Sequence, residues 1–400
     1  MNKKKKRPTG FLKLEKALKK ESSREKKSLV KNYEIKGCEM MQRGELYKAE
    51  KLFLEINNMT AKSYISYKNL ANIFWSTKRK SEAIEALKTA IKINPGNESD
   101  LYNLGLAYQE TNDIDSAIDC YRKALAINSS LSEANNNLGI AYKLKGEYIF
   151  AIRIFENLAK DNPSNPETYN NLGNCFQEIK DYDKSIINYK KAIDLAKTNA
   201  SFYSNLGNIY EQIGEINLAI NNHYKSIELN PNNAFFHYNL GNSIRLNGDL
   251  RLAIKSYEKA IEIDPSMAIS YYNIALCFNE LNEMQLAIEY YTNSLSIDKN
   301  NFGALNNLGN IYQQLGNVDL AMNYYKLAIE IDNSSPDLCT NISYLLMLKG
   351  NYKEGLKLHE YRSLKSNQPC ETHVVPKTKK CNSIDNIVDK KLLVISEQGL

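Results

Sequence analysis

Apolar and polar positions along this chain follow a pattern that returns every 34 residues, in ten consecutive units without an insertion. A small residue falls at Gly37, Ala71, Gly105, Gly139, Gly173, Gly207, Gly241, Ala275, Gly309 and Ser343. A second follows twelve positions later, at Ala49, Ala83, Ala117, Ala151, Ser185, Ala219, Ala253, Ala287, Ala321 and Gly355. Numbering each unit from 1, with the first starting at Val30, large apolar or aromatic residues gather at positions 4, 7, 11 and 24. Positions 4, 7, 8 and 11 share one face at about 100° per residue, and positions 20, 24 and 27 share another, so each unit predicts two amphipathic helices. The small residues at positions 8 and 20 suit a close crossing of the two. Pro95, Pro163, Pro231 and Pro265 stand at position 32, where proline ends the second helix before the next unit.

A 34-residue helix-turn-helix unit with this spacing resembles the tetratricopeptide repeat, over residues 30–369. The resemblance implies an all-α fold: a right-handed superhelix, or α-solenoid, of about ten helix-turn-helix repeats. The last unit departs, with Cys339, Ser343 and Gly355 at positions that are more regular elsewhere and Arg362 at an alanine position, as suits a terminal cap or junction.

Position 6 carries Asn69, Asn103, Asn137, Asn171, Asn205, Asn239, Asn273, Asn307 and Asn341; only the first unit differs, with Ile35. Asparagine is abundant, at 50 of 400 residues, yet that frequency accounts for about one such position in ten, not nine. On the helical wheel, position 6 points about 150° from the centre of the 4-7-8-11 stripe, so the core does not require it and an exposed row is expected. Capping does not explain it, because the residue lies inside the first helix, where Asn is a mediocre former. A carboxamide offers donors and an acceptor that match the N–H and C=O of a polypeptide backbone. A regular row along the concave groove of stacked repeats would hold an extended segment whatever its sequence. The other reading is that the asparagines bond one another between units and stiffen the array.

This ladder resembles that of the repeat region of protein O-linked N-acetylglucosamine transferases, whose groove asparagines hold substrate polypeptide; the nine asparagines above are the matching positions. "GNYKEGLKLHEYR" at 350–362 resembles the last helical unit of bacterial repeat proteins joined to a glycosyltransferase-like domain, with Leu356 and His359 departing from that pattern. Residues 370–390 are expected to be a linker. The closing "KKLLVISEQGL" is an apolar run followed by a Gly turn, and 391–400 resemble the first strand of a truncated nucleotide-sugar-binding α/β domain. Two functions are therefore open: a protein-protein interaction scaffold binding an extended polypeptide, or the substrate-recruiting front half of a protein O-glycosyltransferase.

Composition adds limits. The 400 residues are 43% hydrophobic and 24% charged, with no apolar run long enough to span a membrane and no apolar signal core after the basic start. Residues 1–29 hold 12 Lys or Arg against 3 acidic residues, in a chain of net charge +6. They are expected to form a solvated, disordered tail, with nucleic acid, anionic lipid or an import receptor as alternatives for "KKKKR" at 3–7. Seven cysteines without a paired spacing suggest reduced thiols and a cytoplasmic setting. Cys370, His373 and Cys381 make a weak zinc pattern, and His223, His237 and His359 stand at core positions 24, 4 and 24, so neither metal nor cofactor is expected. The oligomeric state is not encoded in any of these features.

The purified 400-residue chain is expected to turn over no nucleotide sugar, because it lacks a complete phosphate-cradling strand-loop-helix unit. Release of nucleoside diphosphate in a coupled assay would overturn this.

Overall fold

A computed structural model describes residues 23–59, 63–332 and 335–365. Among them run twenty α-helices, from Ser23–Gln42 to Tyr352–Lys365, two for each of the ten 34-residue repeats. Residues 23–29, within the segment expected as a tail, belong to the first helix. The rest of that tail, the 370–390 linker, the 391–400 strand and the Cys370, His373, Cys381 trio lie outside the described residues. The chain divides after Asn205 into two compact parts, each a row of helix pairs packed in chain order.

Within a repeat the first helix occupies positions 1–13 and the second positions 17–30, as in Glu98–Glu110 and Ile114–Ile127. The three-residue turn between them is set at position 15, where the backbone takes positive φ in all ten repeats. Six carry glycine there; Lys78, Asn112, Lys180 and Asn282 adopt the same left-handed conformation with φ of 61–62°. The turn leads into a cap: the side chains of Asp113, Asp181, Asp249 and Asn317 at position 16 accept the N–H of the residue three further on. Position 34 caps the first helix of the following repeat: Ser63, Asn97, Asn301 and Ser335 accept the N–H three residues on, and Asn165 and Asn233 the N–H two residues on.

The two helices of a repeat meet where a position-24 ring lies on the position-8 backbone. A Cβ added to Gly105, Gly173, Gly241 or Gly309 would stand 2.3–2.6 Å from the ring of Tyr121, Tyr189, Tyr257 or Tyr325, all fully buried. Gly37 and Gly139 make the same contact with Phe53 and Phe155. Position 20 completes the crossing with Ala at zero exposure, or with Ser185, whose hydroxyl donates to the Gly173 carbonyl at 2.8 Å. The terminal repeat inverts that pair: Ser343 at position 8 donates to the Gly355 carbonyl at position 20, also at 2.8 Å. Its departures from the pattern therefore keep the crossing closed, and Cys339 is buried in it.

Positions 3 and 10 are buried as well from the second repeat onward, although their residues are mixed. Ser66, Asp100, Thr168 and Ser270 stand at position 3, and Ile73, Cys175, Ser243 and Cys277 at position 10. The buried arc of the first helix is thus wider than the apolar stripe, because it faces both its own second helix and the preceding repeat.

Lys180→Gly is expected to raise the unfolding free energy by about 1 kcal/mol, since a side chain in left-handed backbone costs about 1–2 kcal/mol and glycine removes most of that. Chemical denaturation of the variant against the parent measures it; an unchanged or lowered midpoint would show that Lys180 sits there without strain.

Candidate functional site

The nine position-6 asparagines recur at the same place on nine successive first helices, but they are not freely exposed. Eight are half-buried, and Asn273 retains 7% exposure. The expected exposed row is corrected by the wider buried arc: positions 3 and 10 lie within about 60° of position 6 on the helical wheel, so the row runs along the edge of the packed surface.

From that edge the carboxamides reach back to the preceding repeat. Asn137 Nδ2 donates to the Tyr102 hydroxyl at 2.9 Å, and Asn205 Nδ2 to Asn170 Oδ1 at 2.9 Å, both at position 5 of the repeat before. Asn273 Nδ2 donates to Asn242 Oδ1 and Asn341 Nδ2 to Asn310 Oδ1, each at 3.1 Å, both at position 9. Asn69 Nδ2 lies 3.5 Å from Cys38 Sγ, also at position 9, and bonds the Ile65 carbonyl at 3.0 Å. Asn307 Nδ2 donates to the Tyr291 hydroxyl at 3.1 Å, while Asn171 Oδ1 accepts from Lys143 Nζ at 3.3 Å. Asn103 and Asn239 occupy the same register.

Two of these acceptors join the row to the core. Asn242 Oδ1 receives the Tyr257 hydroxyl at 2.8 Å as well as Asn273 Nδ2, and Asn310 Oδ1 receives the Tyr325 hydroxyl at 2.8 Å as well as Asn341 Nδ2. Tyr325 and Tyr189 also bond the position-12 side chains Gln313 and Gln177 at 2.8 and 3.0 Å. A fully buried phenol needs such a partner. Each tyrosine that closes a crossing therefore sends its hydroxyl to the free side of the first helix, where the amides of positions 6 and 9 gather. The repeat of position 9 as Asn174, Asn208, Asn242 and Asn310 was the sequence signal for this link.

The three described histidines differ from one another. His223 is fully buried, with its ring against Gly207 as expected for position 24, and neither ring nitrogen finds a hydrogen-bond partner among the described residues. Tyrosines at this position extend one hydroxyl further, to the residues at positions 9 and 12; imidazole stops short. Burial lowers the His223 pKa to about 4. His237 is only half-buried and shares a 2.9 Å hydrogen bond with the Pro231 carbonyl, so the core place expected for it is corrected. His359 is likewise half-buried. Desolvation raises the thiols of the buried Cys120, Cys175 and Cys277 to about 11, which leaves them protonated and unreactive. No cluster of His, Cys, Asp and Glu suited to a metal occurs among the described residues.

A cleft of about 470 Å³ on the second-helix side, lined by Tyr169, Leu172, Phe176 and Ile187 among others, was not anticipated. Its signal is Ile187, the one apolar residue at position 22 in ten repeats. The Lys184 ammonium stands 5.2 Å from the Phe176 ring at its rim.

Models of the tetratricopeptide repeat match residues 100–131, 200–233, 234–267 and 266–334, and a TPR repeat model matches 71–112 and 178–214. Together they span more than half of the chain. Similar solved structures include a crystal structure of MamA, 29% identical over 40% of this chain and 95% of its own, with a TM-score of 0.38. MamA 41-end from Desulfovibrio magneticus RS-1 is 21% identical over 42% and 94%, with a TM-score of 0.40. YrrB, described as a TPR protein with an unusual peptide-binding site, is 20% identical over 49% and 97%, with a TM-score of 0.39. A search of curated proteins gives no match. No described helix is long and apolar enough to cross a membrane.

His223 makes stability depend on pH. Its folded pKa of about 4 lies below the ordinary 6.5, so the unfolded chain takes up the proton first. The contribution of the neutral ring is fully present above pH 6.5 and is lost as pH falls toward 4. His223→Tyr is expected to remove that slope and raise stability at pH 5, as read by denaturation at several pH values in both proteins; parallel curves would show that the ring is solvated.

Proposed function

This chain belongs to the tetratricopeptide repeat family, and we propose that it is a protein-protein interaction scaffold whose first-helix face holds an extended polypeptide segment through the position-6 asparagines. The observation that carries this reading is the row of carboxamides, seven of the nine oriented by a bond to the repeat before. A carboxamide has two N–H groups and one oxygen with two lone pairs. Where Nδ2 gives one hydrogen to the preceding repeat, the second hydrogen and the oxygen still match a backbone C=O and N–H. Fixing the amide in advance lowers the ordering cost of such contacts. The partner is an extended peptide or protein segment. No described helix is long and apolar enough to cross a membrane.

A second role of the same side chains is favoured by the shared acceptors. Asn242 and Asn310 each bind both a buried tyrosine and the next asparagine of the row, which braces neighbouring repeats. Bracing and binding are compatible, because they use different atoms of the amide. The alternative reading, a substrate-recruiting arm of a protein O-glycosyltransferase, rests on residues 391–400 and the motif at 350–362 in the sequence alone.

Changing Asn171, Asn205, Asn273 and Asn307 together to Ala separates the two roles. Each lost bond to the preceding repeat costs about 0.5–1.5 kcal/mol, so melting is expected to fall. At a temperature where the variant remains fully folded, affinity for peptides selected from a fluorescein-labelled random library is expected to drop roughly 30-fold or more, by the same energy per contact. Unchanged affinity with lowered melting would leave the asparagines as braces only and refute the binding reading.

A further inference from the structure

In repeats 7, 8 and 9 the free side of the first helices is almost without charge. Positions 2, 5, 9, 12 and 13 point away from the packed arc on Ala234–Leu246, Ala268–Glu280 and Phe302–Gln314. At those fifteen positions only Arg245 and Glu280 are ionised, and they meet each other at 3.3 Å. The same positions in repeats 2 to 5 hold Lys68, Glu110, Glu133, Lys143, Glu167 and Glu178. These positions therefore carry charge twice in fifteen here, against six times in twenty in repeats 2 to 5, and the two charges that remain are paired.

What stands there instead is a mixture of amides, phenols and exposed apolar side chains. Phe235 and Ile269 occupy position 2 of adjacent repeats and are 62% and 41% exposed, while Leu246 at position 13 is 53% exposed. Position 2 of one repeat lies over position 5 of the repeat before, as Gly303 does over Tyr272, whose hydroxyl is 2.7 Å from where a Cβ would stand. Ile269 thus borders Tyr238 in the same register, so apolar contact and amide contact alternate along the face.

A charged segment laid on this surface would give up hydration without meeting an unpaired counter-ion, because the one cation and the one anion are already paired with each other. An uncharged segment loses little hydration and covers apolar surface. We infer that the first-helix face of repeats 7–9 takes an extended polypeptide stretch without ionised side chains, carrying aromatic or large aliphatic residues among small polar ones. Phe235, Ile269 and Leu246 contact those apolar residues and determine the preference; Arg245 and Glu280 are paired with each other. This rests on the reading of the asparagine row as a peptide site and names the class of segment it takes.

The test uses the full chain and three capped peptides of about 12 residues, ~40 Å when extended. All are built from Ser, Asn and Gly: the first carries Phe and Leu at alternating sites, the second has Asp in place of those residues, and the third has Lys. Fluorescence anisotropy is expected to show at least tenfold tighter binding of the first, with an affinity that changes less than twofold between low and high salt. The double variant Phe235→Ser, Ile269→Ser should weaken the first peptide about tenfold and leave the melting temperature unchanged, since both side chains are exposed. Tighter binding of the Asp or Lys peptide, or of all three equally, would overturn the preference while leaving the groove reading in place. No binding of any peptide would overturn both.

Discussion

The structure depends on one close contact, the face of a position-24 ring lying on the backbone of position 8. Seven of the ten repeats place glycine there, and a Cβ on any of them would stand 2.3–2.7 Å from the ring. Removing the side chain from one helix lets the largest side chain of the other fill the crossing, and the alanine or serine at position 20 keeps the opposite flank equally thin. Where the contact is relaxed, both partners change together: Ala71 faces a repeat whose position 24 is Leu87, a smaller group than a ring. Repeat 8 shows the tolerance of the arrangement, pairing Ala275 with a fully buried Tyr291. Its ring is tilted 53° against Tyr272 at 5.8 Å.

Because the rings are mostly tyrosines, this packing solution also sets the polar chemistry of the free face. A buried phenol must find an acceptor, and the nearest are the position-9 and position-12 side chains at the edge of the first helix. Asn242 and Asn310 accept that hydroxyl and still have a lone pair for the next repeat's asparagine. One chain of bonds then runs from the closed crossing, through a carboxamide, to the row on which binding is proposed. His223 is the exception that measures the rule: a ring of similar shape fills the crossing, but it carries no hydroxyl, and both its nitrogens are left without partners among the described residues.

Much of this was legible in the sequence, and the parts that were not share a cause. The 34-residue period, the two helices per repeat and the close crossing at the small residues of positions 8 and 20 follow from residue size and apolarity, which the chain displays openly; that a position-24 ring fills the crossing emerges only from the structure. Positions 3 and 10 escaped because Asp100, Thr168, Cys175 and Ser243 do not look like core residues; they are buried, and Asp100 and Ser243 bond Tyr64 and Glu211 of the preceding repeat. The left-handed turn at position 15 was obscured by Lys78 and Lys180, whose side chains give no hint of positive φ. The asparagine row could be found by frequency alone, whereas its half-buried state could not. That state depends on where positions 5 and 9 of another repeat fall, and those positions vary from Cys38 to Tyr102 to Asn242.

The same variation bears on specificity. If each carboxamide is held by the repeat before it, the row is carried by the stacking of the repeats and is indifferent to what side chains a ligand carries. Such a row can recognise only the backbone, which all polypeptides share. Discrimination then falls to the free positions that differ between repeats, above all positions 2 and 13, where Ile65, Glu133, Glu167, Phe235 and Ile269, or Glu110, Leu144, Glu178 and Leu246, succeed one another. An array of this kind can therefore change what it selects by substitutions at exposed positions that touch neither the crossing nor the amide row, and the stability of the fold places no limit on that change.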